Sequence, residues 1–209
     1  MIVPERPDEF FVDFLPRQFA EFGGAGNSTV GRALAVPASA PAEARVLVRV
    51  AGAGEWSIGI VARALSVRPG PDEAVALQLS LHERDFFPLV VEPARRALGR
   101  RLEQPDLPQR AGLWSRLSRW DQETTDLLRQ QPAGLLVRIE DQGTIRAVAV
   151  TPGANLYSLD SAACIIECRL DDLVEIDSGT TNPLDLFYSG RLRISGDAQI
   201  ALALAGLFI

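Results

Sequence analysis

The sequence contains no lysine; all 21 basic residues are arginine. Coding bias in a GC-rich genome accounts for this, because exposed positions generally accept either cation. Chemically, the absence rules out a Schiff-base lysine, a pyridoxal phosphate anchor and the lysine of a phosphate-binding Walker loop. A single histidine, His82, rules out any metal site built from several imidazoles. Long apolar runs are missing too: no stretch approaches the roughly 18 residues of a membrane-spanning helix. Pro4, Glu5 and Arg6 occupy the place where a secretory signal needs an apolar core, so a cytoplasmic chain without a transmembrane segment is expected. Positive charge is in deficit overall. A net charge of −6 argues against nucleic acid, whose binding depends on neutralising phosphates, and against an anionic membrane face.

What is present suits a globular protein: 47% apolar and 23% charged residues in 209. Five of the nine phenylalanines, Phe10, Phe11, Phe14, Phe19 and Phe22, fall within residues 8–22. Asp8 can cap a helix there, and Phe11, Leu15, Phe19 and Phe22 form one stripe that Pro16 should kink. A core helix is the plain reading. The rival is an aromatic face that docks a partner protein, around Phe10 and Phe14, or closes a lipid pocket. Residues 23–26 resemble a phosphate loop, but no buried strand precedes them and no lysine follows, so they are expected to connect elements, as is the proline- and alanine-rich stretch 35–44.

A repeat underlies the middle of the chain. Residues 46–50 (VLVRV) match 135–139 (LLVRI) at an offset of 89, and Gly54 and Gly143 keep that offset. Two further strands follow in each case, 55–65 against 144–153 and 75–82 against 162–169. In the latter, Leu77, Leu79 and Leu81 align with Cys164, Ile166 and Cys168. Both copies then pass through Asp85-Phe86 or Asp172-Leu173 into a helix, and each is preceded by one, 8–22 or 112–131. The shared order suggests a tandem duplication with halves 1–105 and 106–209, the first lacking a counterpart of 192–207. Trp56, Trp114 and Trp120 are read as core or inter-half packing, with a pocket lining as the rival.

The C-terminal stretch 171–208 carries a more specific pattern. Asn182-Pro183 opens a short helix and Gly190 ends it. Leu192 and Ile194 alternate with Arg191, Arg193 and Ser195 as a half-buried strand should, and Gly196-Asp197 turns the chain into an apolar helix over 199–207. This order resembles the sterol carrier protein type 2 family, the nonspecific lipid-transfer fold, whose pattern runs D-L-x-x-I-x-x-G, P-x-x-x-F/M-x-x-G-K-L-K-I-x-G-D/N and an L-A-x-x-L helix. Arg191 and Arg193 replace its two lysines. The resemblance is clearest over 171–208 and extends over 112–209. It implies an α+β fold, a mixed β-sheet covered by helices around an apolar tunnel, and no fixed catalytic set to carry over. The ending Leu-Phe-Ile is not a peroxisomal address, which fits a bacterial member better than a peroxisomal one.

Residues that might carry chemistry have bland readings beside them. Cys164 and Cys168 on a strand share a face about 13 Å apart, beyond the roughly 7 Å limit for a disulfide, and read as buried thiols. Because they stand where the first copy has leucines, the smaller side chains leave volume that a ligand could fill. His82 lies on the Gln78 and Ser80 side of its strand and is expected to be solvated. Asp171, Asp172, Glu175 and Asp177 start a helix, where acids suit the positive end of the dipole. Arg191 and Arg193 are expected on a solvated face, available to a ligand carboxylate.

The expectation is therefore a binding protein that holds a lipid or other apolar small molecule, as carrier or accessory factor, with no cofactor, no metal and no catalytic residue. Candidate ligand-binding residues are Cys164, Ile166, Cys168, Phe187, Ile200, Leu204 and Phe208. An interaction or assembly subunit without a tunnel is the alternative. An enzyme acting on an apolar biosynthetic substrate ranks last, because no buried polar group suggests itself as its catalyst.

Overall fold

The alternating runs 46–50 and 135–139 each seed the same small arrangement. The computed structural model describes residues 2–23, 45–61, 64–72, 75–96, 126, 133–153, 162–178 and 180–205. Strand β1 (Arg45–Ala51) pairs antiparallel with β2 (Gly54–Val61), which pairs with β3 (Ala64–Pro69). On its other side β1 pairs parallel with β4 (Val75–His82). Further on, β5 (Leu135–Asp141) pairs antiparallel with β6 (Thr144–Pro152) and parallel with β7 (Cys164–Arg169), whose outer neighbour is β8 (Arg193–Gly196). An antiparallel β4–β6 pairing joins the two sets into one eight-stranded mixed sheet, in the order β3-β2-β1-β4-β6-β5-β7-β8. The fold is thus α+β.

The parallel pairs share a register. Val46, Val48 and Val50 face Leu77, Leu79 and Leu81, as Leu135, Val137 and Ile139 face Cys164, Ile166 and Cys168. The hairpins do not. In the first, Val50 pairs with Gly54 across a turn whose positive φ belongs to Gly52. The second runs on to Asp141 opposite Thr144, and closes through Gln142 (φ 50°) and Gly143 (φ 82°), the two left-handed residues of a tight type I′ turn. Gly54 and Gly143 are therefore not equivalent, and the partner of Val48 is Trp56 whereas that of Val137 is Val148.

Helix α1 begins as wide turns over Glu9–Phe14 and continues as Leu15–Gly23. Pro16 has no N–H and would crowd the carbonyl of Val12 in a regular helix; widening the turns ahead of it, with Leu15 N–H bonded to the Phe10 carbonyl, absorbs the misfit. The wider winding also moves the apolar stripe. Phe10, Phe11, Phe14 and Leu15 are all buried, as the core-helix reading expects, and the rival docking face around Phe10 and Phe14 is not exposed. Helix α2 runs from Glu83–Phe86 through wide turns over Phe87–Val91 to residue 96. Its Phe86 lies 5.6 Å from the ring centroids of both Phe10 and Phe11, and Phe11 lies 4.9 Å from Trp56.

After β7 come α3 (Leu170–Ser178), α4 (Pro183–Tyr188), β8 and α5 (Ala198–Ala205). Asn182 caps α4, its side chain accepting from the Leu184 N–H at 2.9 Å. Gly196 cannot be replaced without cost: its φ is 82°, and a Cβ there would fall 2.2 Å from the Ala163 carbonyl oxygen. Asp197 then anchors α5, donating its own N–H to that carbonyl at 2.8 Å and accepting from Gln199 N–H at 3.0 Å.

The sheet face carrying Gln78 and Ser80 departs from expectation. Both are buried, with Ser57, Thr151 and Leu47 beside them, so His82 at the strand end is half-buried rather than freely solvated. The expected helix over 112–131, the linker 35–44, Gly24 to Gly26, Trp114 and Trp120 lie outside the described residues.

Candidate ligand-binding site

Side chains two apart on a strand share a face, and directly paired residues on neighbouring strands share it too. On the second half of the sheet this generates three rows about 7 Å apart along the strands. Val150, Leu135 and Cys164 make one row; Val148, Val137, Ile166 and Ile194 make the next; Arg146, Ile139 and Cys168 make the third. In the outer rows Val150, Leu135, Cys164, Ile139 and Cys168 are buried. All four residues of the middle row are only half-buried. An apolar strip therefore crosses four strands, about 14 Å, with covered residues along both margins.

The margins are covered by different helices. α5 packs on β7 and β8, burying its Ile200 and Ala201, and the Ala201 backbone hydrogen-bonds the Cys164 thiol. α3 packs on β7 and β5 at the Cys168 end. Its Leu173, Val174 and Ile176 are half-buried. Both thiols are free. Burial raises the pKa of Cys164, partly offset by the Ala201 hydrogen bond. Burial, aided by the Asp172 charge, pushes Cys168 up to about 11. Neither is a nucleophile near neutral pH, since the thiolate is the reactive form.

The polar groups nearby are paired with one another. Asp172 is fully buried; one carboxylate oxygen accepts from the Arg169 N–H at 2.9 Å and the other from Arg191, which also donates to Glu175 at 3.0 Å. The Arg191 hydrogen bond holds Glu175 below the usual carboxylate range, and these carboxylates raise the pKa of Arg191 in return. Arg191 thus closes a latch onto Asp172 and Glu175 while itself remaining exposed, as expected. It also lies ahead of β8, which begins at Arg193. A second group joins the two halves, where buried Asp85 of the first meets Arg146 of the second at 3.3 Å and Arg146 reaches Asp141 at 3.0 Å.

Of the expected binding residues, Cys164, Ile166, Cys168 and Ile200 come together as described. Phe187 does not join them: it is 45% exposed on α4, its ring 5.9 Å from that of Tyr188, while Leu186 turns inward. Leu204 belongs to α5, but its side chain, like the whole of Phe208, lies outside the described residues. Sequence reasoning missed Val137, Val148 and Ile194, which strand alternation marks as apolar but only the cross-strand pairing places in one row. It missed Leu173, Val174 and Ile176 because they follow an acidic helix start. Among the described residues no group of three or more His, Cys, Asp or Glu could hold a metal ion, and no helix is long and apolar enough to cross a membrane.

This site is built from the part of the chain with recognisable relatives. Residues 117–209 match the model of the SCP-2 sterol transfer family. Similar solved structures include sterol carrier protein 2 from Yarrowia lipolytica in its apo form (18% identity, 41% of this chain and 73% of that one, TM-score 0.32). Others are sterol carrier protein domain 2 of Helicoverpa armigera (20%, 41% and 72%, 0.34) and sterol carrier protein 2 like 2 from Aedes aegypti (18%, 54% and 97%, 0.33). No curated protein matches.

Proposed function

We propose that this protein binds a lipid or another apolar small molecule on the strip formed by Val148, Val137, Ile166 and Ile194, and acts as its carrier or presents it to an enzyme. The half-buried middle row between two buried ones carries this reading, because apolar burial would supply the affinity. The family match of residues 117–209 supports it. Cys164, Cys168 and Ile200 would form the walls, with Leu204 and Phe208 as further candidates. No group in the strip suggests catalysis.

The test is native mass spectrometry of gently purified protein, with extraction of any bound molecule and titration with fluorescent fatty acid and sterol probes. Binding that Ile166→Glu abolishes and Ile166→Leu preserves is the expected result. Protein that is empty on purification and ignores every probe would overturn the reading. A second reading, an interaction or assembly subunit, is favoured by exposed Leu184, Phe187 and Tyr188 on α4. It predicts self-association or partner capture that Phe187→Ser and Tyr188→Ser remove while probe binding is absent.

We also read the chain as two copies, 1–105 and 106–209. Support comes from the shared parallel register and from Asp85 and Asp172, buried acids at matching positions after β4 and β7. Alignment of relatives should show residues 45–92 and 135–179 varying in step at these paired positions; unrelated patterns would count against duplication.

A further inference from the structure

The shared register of the two halves keeps the pairings visible in the sequence and adds one, at Trp56, that spacing does not give. Leu77 and Leu81 correspond to Cys164 and Cys168, through partners Val46 and Val50 in one half and Leu135 and Ile139 in the other. Trp56, opposite Val48, corresponds to Val148, opposite Val137. One position after the matching buried acids, Phe86 corresponds to Leu173. At all four positions the first half carries the larger side chain.

Among the described residues the first half is also the better covered. Val48, Trp56 and Phe86 are buried, whereas their counterparts Val137, Val148 and Leu173 are half-buried. The side chain lying on Trp56 is Phe11, at 4.9 Å and tilted by 31°, and it also packs on Phe86 at 5.6 Å. Phe11 thus occupies, above Trp56, the place that lies above Val148 in the second half. Large-to-small exchange on a core face leaves volume that surrounding atoms only partly reclaim, and an apolar cavity of that kind can take an apolar guest.

We propose that the four exchanges toward Cys164, Cys168, Val148 and Leu173 create the ligand chamber, and that Phe11 is the first half's built-in substitute for the ligand. The chain therefore takes one apolar molecule, in the second half only. This rests on the preceding reading that the strip binds an apolar molecule.

The experiment is a fluorescence titration with nitrobenzoxadiazole-labelled stearate, with stoichiometry checked by native mass spectrometry and a thermal melt run beside it. Wild-type protein should saturate at one equivalent; two would overturn the proposal. Filling the second half with Cys164→Leu, Cys168→Leu and Leu173→Phe should weaken binding at least tenfold while the melting temperature holds or rises. A filled variant that still binds one equivalent, or melts several degrees lower as an overpacked core does, would overturn it. In the opposite direction, Phe11→Ala with Phe86→Leu should admit a second, small guest, read as benzene binding. If that variant does not fold, the filling arm decides. Should wild-type protein bind no stearate probe, the carrier reading fails by itself, and the melt of the filled variant still reports whether the volume is vacant.

Discussion

The two halves of the sheet use one strand register to reach opposite states of packing. In the first, Val46, Val48, Val50, Leu77 and Leu81 are buried in one cluster with Phe10, Phe11, Phe14 and Phe86, and Leu79 alone among these strand positions is half-buried. In the second, the middle row and the facing side of α3 remain half-buried. Backbone pairing depends on main-chain groups, and so it survives large changes in side-chain volume. The difference teaches where to look for function. A filled half stabilises the molecule, and an incompletely filled one attached to it can remain folded while leaving apolar surface for a guest.

The sharpest way to test that contrast is to truncate one residue on each side. Phe11→Ala removes a buried ring in contact with three others and should cost about 3–5 kcal/mol of unfolding free energy in urea denaturation. Ile166→Ala should cost no more than about 1–2 kcal/mol, because part of that side chain already meets water. Equal losses would erase the distinction between the halves. The buried acids come next. Arg191→Ala leaves the fully buried carboxylate of Asp172 with only its Arg169 N–H partner and should lower the urea midpoint of unfolding. Arg191→Lys should recover only part of this, since one ammonium does not reproduce the planar fork that reaches both Asp172 and Glu175. Arg146→Ala, which strands Asp85, should behave like Arg191→Ala if the latches are equivalent.

Much of the frame was legible in sequence for local reasons. The alternation in 46–50 and 135–139, the alternating leucines of 77–81, and the cap-and-proline start of α4 are each set by nearest neighbours. What escaped depends on distant parts of the chain. Phe10 and Phe14 became core because Pro16 widens the preceding turns. Gln78 and Ser80 look like a solvent face in the strand's own alternation, and their burial is set by what packs across the sheet. Arg191 seemed free because its partner Asp172 lies 19 residues earlier. The middle row of the candidate site joins β5, β6, β7 and β8, so no single strand reveals it.

Two smaller effects complete the comparison. The Cys168 thiol has its pKa raised from 9.0 to about 11, mainly by burial. Below pH 9 the thiol is neutral in both folded and unfolded chains. Between pH 9 and 11 the unfolded chain loses the proton while the folded one retains it, so stability should fall over that window, by roughly 2 kcal/mol at its upper end. Cys168→Ala should remove that part of the pH slope, and a slope unchanged by it would mean the thiol titrates normally. At the bottom of the scale is Tyr188→Ala on α4. Its ring is 82% exposed, and the change should move unfolding free energy by less than about 0.5 kcal/mol and leave probe affinity unaltered. A marked loss of affinity there would extend the binding region from the strip to α4, and would restore Phe187, its neighbour in the ring pair, to the set of ligand contacts.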